Sequence, residues 1–190
     1  MRFDVHYTDA MVERDLRDAQ ARLLEAGLLA GDAWRPTIVC DVSWLARETP
    51  EHRFVYLKDA RLDSVVGVFS FQSSRPRRSS AAVEVPHAKL RRAYRGFGLA
   101  SWVYGCALDS GVCLVSSARQ SPAAGRLWQA LTRRYAHGYV WVERRSMRYL
   151  GTELSEAQKA QLAVRMMLHG PRYPLEALFE APRQGLRRQG

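Results

Sequence analysis

A chain of 190 residues, 47% hydrophobic and 10% aromatic, is long enough for one domain with a proper core and too apolar to be disordered. No apolar run approaches the roughly 18 residues of a membrane span, and the opening MRFDVHYTDAMVERD has early acids and no apolar centre, so neither a membrane segment nor a secretory signal is read and a cytoplasmic location is expected. Lys and Arg number 29 against 19 Asp and Glu, and the net charge of +10 directs attention to an anionic partner, nucleic acid or an acidic protein surface among them, with solubility as the competing explanation.

FDVHY over residues 3–7 suggests a short first strand. Ala10 to Leu29 reads as an amphipathic helix, with Val12, Leu16, Ala19, Leu23 and Ala26 on one face, Thr8 or Asp9 as N-cap and Gly27 or Gly31 at its end. Between Asp32 and Ala46 the pattern is ambiguous: Pro36 interrupts it, and Val42 to Ala46 is read as a helical turn. Phe54 to Leu57 is a short strand, Lys58 to Asp63 a hairpin loop, and Ser64 to Ser74 the strongest strand of the chain, with a bulge expected at Gly67. SSRPRRSS, with Arg75, Arg77 and Arg78, is a basic exposed turn.

Ala81 to Leu90 is the next strand. Alternation puts Glu84 on the face opposite Val83 and Val85. A carboxylate there is paired, wet or catalytic, and beside a desolvated cleft it becomes a usable general base. His87 is the second candidate base. The strand runs into LRRAYRGFGLASWVYGCAL, whose centre is Arg95-Gly96-Phe97-Gly98-Leu99-Ala100. From Leu99 the apolar spacing is helical through Trp102, Val103 and Cys106. A strand, a glycine turn and a helix N-terminus, with Arg92 and Arg95 beside them, form a cradle suited to a phosphate or pyrophosphate. It is not a P-loop, for no Gly-Lys-Ser/Thr follows, and the third glycine of the dinucleotide fingerprint is missing.

Asp109-Ser110-Gly111 stops the helix, and Val112 to Val115 is a short buried strand. Ser121-Pro122 opens a second helix running to about Tyr135, and Tyr139 to Val142 closes the sheet. Ser155 to Leu168 reads as a further helix capped by Ser155. Cys40, Cys106 and Cys113 lack metal-ligand spacing and are read as reduced core thiols.

Arg95, Gly98 and Ala100 fill the fixed places of the Arg/Gln-x-x-Gly-x-Gly/Ala motif, and the segment resembles the acyl-CoA-binding loop of the GNAT N-acetyltransferase family. Ser121, Ala124, Leu127 and Trp128 take the places of that family's Asn-x-x-Ala-x-x-Leu-Tyr, with Gly138-Tyr139 after it. The resemblance covers about residues 53 to 142.

The resemblance implies an α+β fold (an α/β three-layer arrangement) with a mixed, mostly antiparallel central sheet flanked by helices. Residues 1–150 would form the acyl-CoA-binding domain and 151–190 a C-terminal helical extension with a basic tail. It implies acetyl-CoA or another acyl-CoA as cofactor, held by Val85, Leu90, Arg92, Arg95, Gly96, Phe97, Gly98, Leu99, Ala100, Ser121 and Trp128, and direct attack by an amine. Glu84 or His87 would be the base. Trp128 stands where the family has its Tyr general acid, and an indole cannot take that role, which leaves Tyr135, Ser121 or water. The region before the first strands would border the acceptor, making Trp34 and Trp44 candidate walls, with core packing as the alternative. The acceptor stays open, an acidic protein or nucleic acid among the options, as does a homodimer. The competing function is a catalytically weak module that binds nucleic acid or a partner protein through its basic surface.

Overall fold

The computed structural model describes residues 7–31, 33–73, 83–143 and 146–171. Most of the FDVHY segment, Arg75, Arg77 and Arg78, and the tail with Arg187 and Arg188 lie outside the described residues. The element order is α1 (Asp9–Glu25), β1 (Arg35–Pro36), β2 (Val42–Glu48), β3 (His52–Asp59), β4 (Ser64–Ser73), β5 (Val83–Leu90), a 3-10 turn (Arg92–Tyr94), α2 (Leu99–Asp109), β6 (Cys113–Val115), α3 (Pro122–Leu131), β7 (Ala136–Glu143), β8 (Ser146–Gly151), α4 (Glu156–Lys159) and β9 (Val164–His169).

The nine strands of the described residues form one sheet in the order β1-β2-β3-β4-β5-β6-β9-β7-β8. Every neighbouring pair is antiparallel except β5 and β6, which run parallel over two residue pairs, Val83 with Cys113 and Glu84 with Leu114. The fold is therefore α+β, a mixed and mostly antiparallel sheet flanked by helices.

Alternation sorts the side chains onto two faces. On one face, Leu57, Val66, Phe69, Phe71, Leu114 and Leu168 pack against Leu99, Val103, Tyr104 and Leu108 of α2 and Trp128 and Leu131 of α3. On the other, Val12, Leu16, Ala19 and Leu23 of α1 cover Leu45, Tyr56 and Val65. Those four are where the stripe was expected, but the helix ends at Glu25 instead of Leu29 and Ala26 is its exposed C-cap; Thr8 caps α1 by accepting the Met11 N–H through Oγ1 at 3.2 Å. The β3–β4 bulge falls between Leu57 and Lys58, opposite Val66 and one residue from Gly67.

Four expectations are corrected. Val42 to Ala46 is strand β2, paired along its length with β3, because Val42 and Leu45 find the core as pleated rather than helical neighbours. The C-terminal helix over Ser155–Leu168 is replaced by the four-residue α4 and strand β9. Ser155 does form a capping box with Gln158, so the helix start is real. Beyond it Val164, Met166 and Leu168 share one face while Met167 is buried on the other; with apolar side chains on both faces, the period of two is hidden. Helix α3 ends at Leu131, so Tyr135 precedes β7 instead of closing the helix. Finally, Cys40 and Cys106 are exposed, and only Cys113 is a core thiol. Among the described residues no helix is long and apolar enough to cross a membrane.

The join between β9 and α2 is tight. A Cβ on Gly170 would stand 2.0 Å from the Leu108 carbonyl oxygen, a backbone atom that cannot swing away. Gly170→Ala is expected to cost about 3 kcal/mol or more of unfolding free energy in urea denaturation.

Candidate functional site, the split between two parallel strands

After Glu84 and Leu114 the strands β5 and β6 part. Ser116 is claimed by β9, its N–H donating to the Met166 carbonyl at 2.8 Å and its Oγ accepting the Met166 N–H at 3.0 Å. β5 stays with β4 as far as Leu90. From Val85 onward, the edge of β5 facing β6 has no strand partner among the described residues. The gap opens into a cleft of about 1070 Å³, walled by Pro86 to Leu90, the glycine turn, the start of α2, residues 117–121 and the first turns of α3.

The mouth on the helix side is the glycine turn. Gly96 and Gly98 have φ of 86° and 83°, a left-handed conformation that side chains disfavour, and a Cβ on either would meet open space. Gly98 is the N-cap of α2 and offers no side chain, so the first N–H groups of α2 keep no cap. The turn is fastened from behind. Tyr94 donates its O–H to Asp59 at 2.6 Å, Arg91 donates to Glu13 at 2.9 Å and Ser64 at 3.0 Å, and Arg95 Nε donates to the Leu90 carbonyl at 2.8 Å. Burial and then the bond to Asp59 push the Tyr94 phenol up to about 12, so it remains a donor. Arg95 and Arg92 also pair with Asp9, at 2.9 and 3.6 Å, so their charge is partly spent within the protein.

The cleft collects His87, Leu90, Arg95, Gly96, Gly98, Leu99, Ala100, Ser121 and Trp128 from the sequence-derived set. Ser121 Oγ accepts the Ala124 N–H at 3.1 Å, which leaves its own O–H to donate. Trp128 is 3% exposed and meets Tyr104 edge-on, as a wall. His87 is exposed at the cleft; desolvation first, then the charges of Lys89 and His52, lowers its pKa, so it is neutral at pH 7 and able to accept a proton.

Five residues of that set do not line the cleft. Glu84 lies on the α2/α3 face and is bound by Arg53, Nη2 to Oε2 at 2.7 Å, with Arg53 stacked over Phe71. Burial raises its pKa, and the charge and hydrogen bond of Arg53 pull the other way without prevailing. Tyr135 sits at the far end of α2, donating to Asp109 at 3.0 Å. Val85 pairs with Gln72, Arg92 turns to Asp9, and Phe97 is 60% exposed beside the turn. Trp34 and Trp44 are packing residues: Trp34 donates to the Leu28 carbonyl at 2.9 Å and Trp44 meets Trp102 edge-on. Sequence reasoning missed Tyr7, Tyr104, Gln120, Leu162 and Arg165. Tyr104 and Gln120 follow from the elements already identified, but Leu162 and Arg165 depended on seeing β9.

No family model matches the chain, and no curated protein does. Among solved structures, a cAMP-binding acyltransferase from Mycobacterium smegmatis aligns at 12% identity and a TM-score of 0.42, covering 83% of this chain and 59% of its own. A mutant form of that protein aligns at 13% and 0.43, with 58% of its length covered. A protein assigned as a phosphinothricin N-acetyltransferase aligns at 14% and 0.39, covering 65% of this chain and 73% of its own. The chain thus spans under three fifths of the mycobacterial protein, and likenesses at these identities and scores say nothing about the chemistry of the cleft.

Arg53→Gln would leave the half-buried Glu84 without its cation, costing about 2 kcal/mol at pH 7. The loss should shrink at pH 4, where the unpaired carboxyl is protonated; urea denaturation at both pH values measures it. An equal loss at both would mean that Arg53 acts through packing alone.

Proposed function

We propose that the protein is an N-acyltransferase that takes its acyl group from a coenzyme A thioester, acetyl-CoA in the first instance, and passes it to an amine. The observation that carries this reading is the split itself: an unpaired edge of β5 leading straight to two left-handed glycines and an uncapped helix N-terminus. Such a slot matches a long ligand with amide groups along its arm and a pyrophosphate at one end. The N–H groups from Gly98 to Ser101 would receive the pyrophosphate, favoured by the helix dipole. The free edge of β5 would pair with the amides of the pantetheine arm as an added strand does.

Coenzyme A supplies an activated thioester, and the protein has to position it and manage two protons. The amine nitrogen bonds to the thioester carbonyl carbon, the carbon–sulfur bond breaks, and the thiolate leaves. His87 takes the proton lost by the amine, since it is neutral, faces the cleft and has a lowered pKa. Ser121 O–H is the donor available to the leaving sulfur. Glu84, ion-paired away from the cleft, is a structural carboxylate in this scheme, and Trp128 shapes the wall.

Two experiments test the reading. Calorimetry should find saturable acetyl-CoA binding that Gly98→Glu abolishes in a folded variant, because the new side chain strains the left-handed position and puts a negative charge where the pyrophosphate belongs. A folded wild type that binds no acetyl-CoA sinks the proposal. In turnover, kcat/KM should fall on acidification through a pKa below 6.5, as the depressed His87 gains its proton. His87→Gln should lower kcat about 100-fold and remove that limb, whereas an unchanged acid limb would clear His87 of the role.

A further inference from the structure

The cleft reaches the α1 face of the sheet, where Tyr7, Val12, His87 and Lys89 line it. Three residues beyond the Glu84–Leu114 pair, the register brings His87 level with Ser117. Two residues beyond the Val115–Met167 pair, it brings Arg165 level with the same Ser117. His87 and Arg165 therefore flank the place that β6 vacates, on strands at least two spacings, roughly 10 Å, apart. They share a face. Arg165 pairs with Val140, which packs with Val83 and Met167, and His87 alternates with Val83 and Val85.

Arg165 is half-buried, and among the described residues its hydrogen bond, at 3.3 Å, goes to the carbonyl of its neighbour Val164. Desolvation lowers its pKa, and no carboxylate of the described residues offsets that. Gln120, 4% exposed and also lining the cleft, has neither its amide nitrogen nor its amide oxygen partnered within the described residues. Leaving such groups buried and unpaired is costly, so both point to a ligand that satisfies them. Lys89, Arg95, Arg119, Arg126 and Arg165 line the cleft, and among the described residues no Asp or Glu does, although Lys89 pairs with Asp15 and Arg95 with Asp9 from outside that lining. A simple cationic amine is repelled from such a place, and an acceptor with its own negative charge is drawn in. Exposed Tyr7 and Leu162 supply apolar surface to the cleft.

We propose that the acceptor is a small amino carboxylate with an apolar body, whose carboxylate docks on Arg165 with Gln120 beside it while its amine faces His87 across the gap at Ser117. Guanidinium and carboxylate match as a two-pronged pair, which also orients the amine. This rests on the acyltransferase reading for its chemistry, while the anion site itself can be tested without turnover.

The probes are N-acetyl-L-phenylalanine and its amide, titrated by NMR into wild type, Arg165→Gln and, as a surface control, Arg61→Gln. The acid should bind about tenfold more tightly than the amide to wild type and control, and Arg165→Gln should erase that preference while leaving acetyl-CoA affinity within about twofold. In turnover, Arg165→Gln should raise KM for L-phenylalanine about tenfold or more and leave KM for acetyl-CoA unchanged. If the acid preference depends on Arg165 but acetyl-CoA does not bind, the anion site stands and the acyltransferase reading fails. If acetyl-CoA binds but the amide binds as well as the acid, L-phenylalaninamide is acylated as well as L-phenylalanine, or Arg165→Gln keeps the preference, the acceptor proposal is overturned.

Discussion

The site depends on a competition for one residue. Ser116 follows β6 directly, and both its N–H and its hydroxyl oxygen are engaged by Met166 of β9. That ties the chain after Val115 to β9, while β5 remains bonded to β4 up to Leu90. Two parallel neighbours that would otherwise zip together are held apart after two residue pairs. The interior of a sheet seldom offers an unpaired edge, because an unsatisfied backbone group there costs as much as a lost hydrogen bond. Here the fold sets that edge in a cleft, next to the uncapped N–H groups of α2.

The two faces of the sheet then divide the work. The α2/α3 face supplies the glycine turn, the helix dipole and Ser121. The α1 face supplies His87, Arg165 and the apolar rim. Charge is managed differently on each. At the glycine turn Arg92 and Arg95 answer to Asp9, so much of the attraction for an anion there falls on backbone amides. Across the sheet Arg165 has no such carboxylate among the described residues. Glu84, near the start of β5, points to the helix face and is neutralised by Arg53, which keeps its carboxylate away from a cleft lined by basic residues.

What was legible in the sequence was local. The strand, glycine turn and helix from Val83 to Leu108, the Thr8 and Ser121 caps and the α1 stripe each follow from a short pattern with its own physical cause, and each is found in place. The elements that were misread depend on distant partners. Val42 to Ala46 is a strand because β3 pairs with it, and Val164 to Leu168 is a strand because β6 and β7 flank it on both sides. An apolar stretch buried on both faces has no visible period, and a genuine helix cap at Ser155 pulled the reading toward a helix. The cost fell on the site, for without β9 neither Leu162 nor Arg165 could be assigned to it. Tyr135 failed for a related reason: its nearness in sequence to α3 said nothing about which end of that helix faces the cleft, and it bonds Asp109 instead.

The most direct measurement of the central claim is a crystal structure of the protein grown with coenzyme A. The account predicts the pyrophosphate on the amides from Gly98 to Ser101, the pantetheine arm paired with β5 between Val85 and Leu90, and the sulfur opening toward the α1 face near His87. Coenzyme A bound elsewhere, or β5 and β6 closed on each other past Glu84 and Leu114, would contradict it.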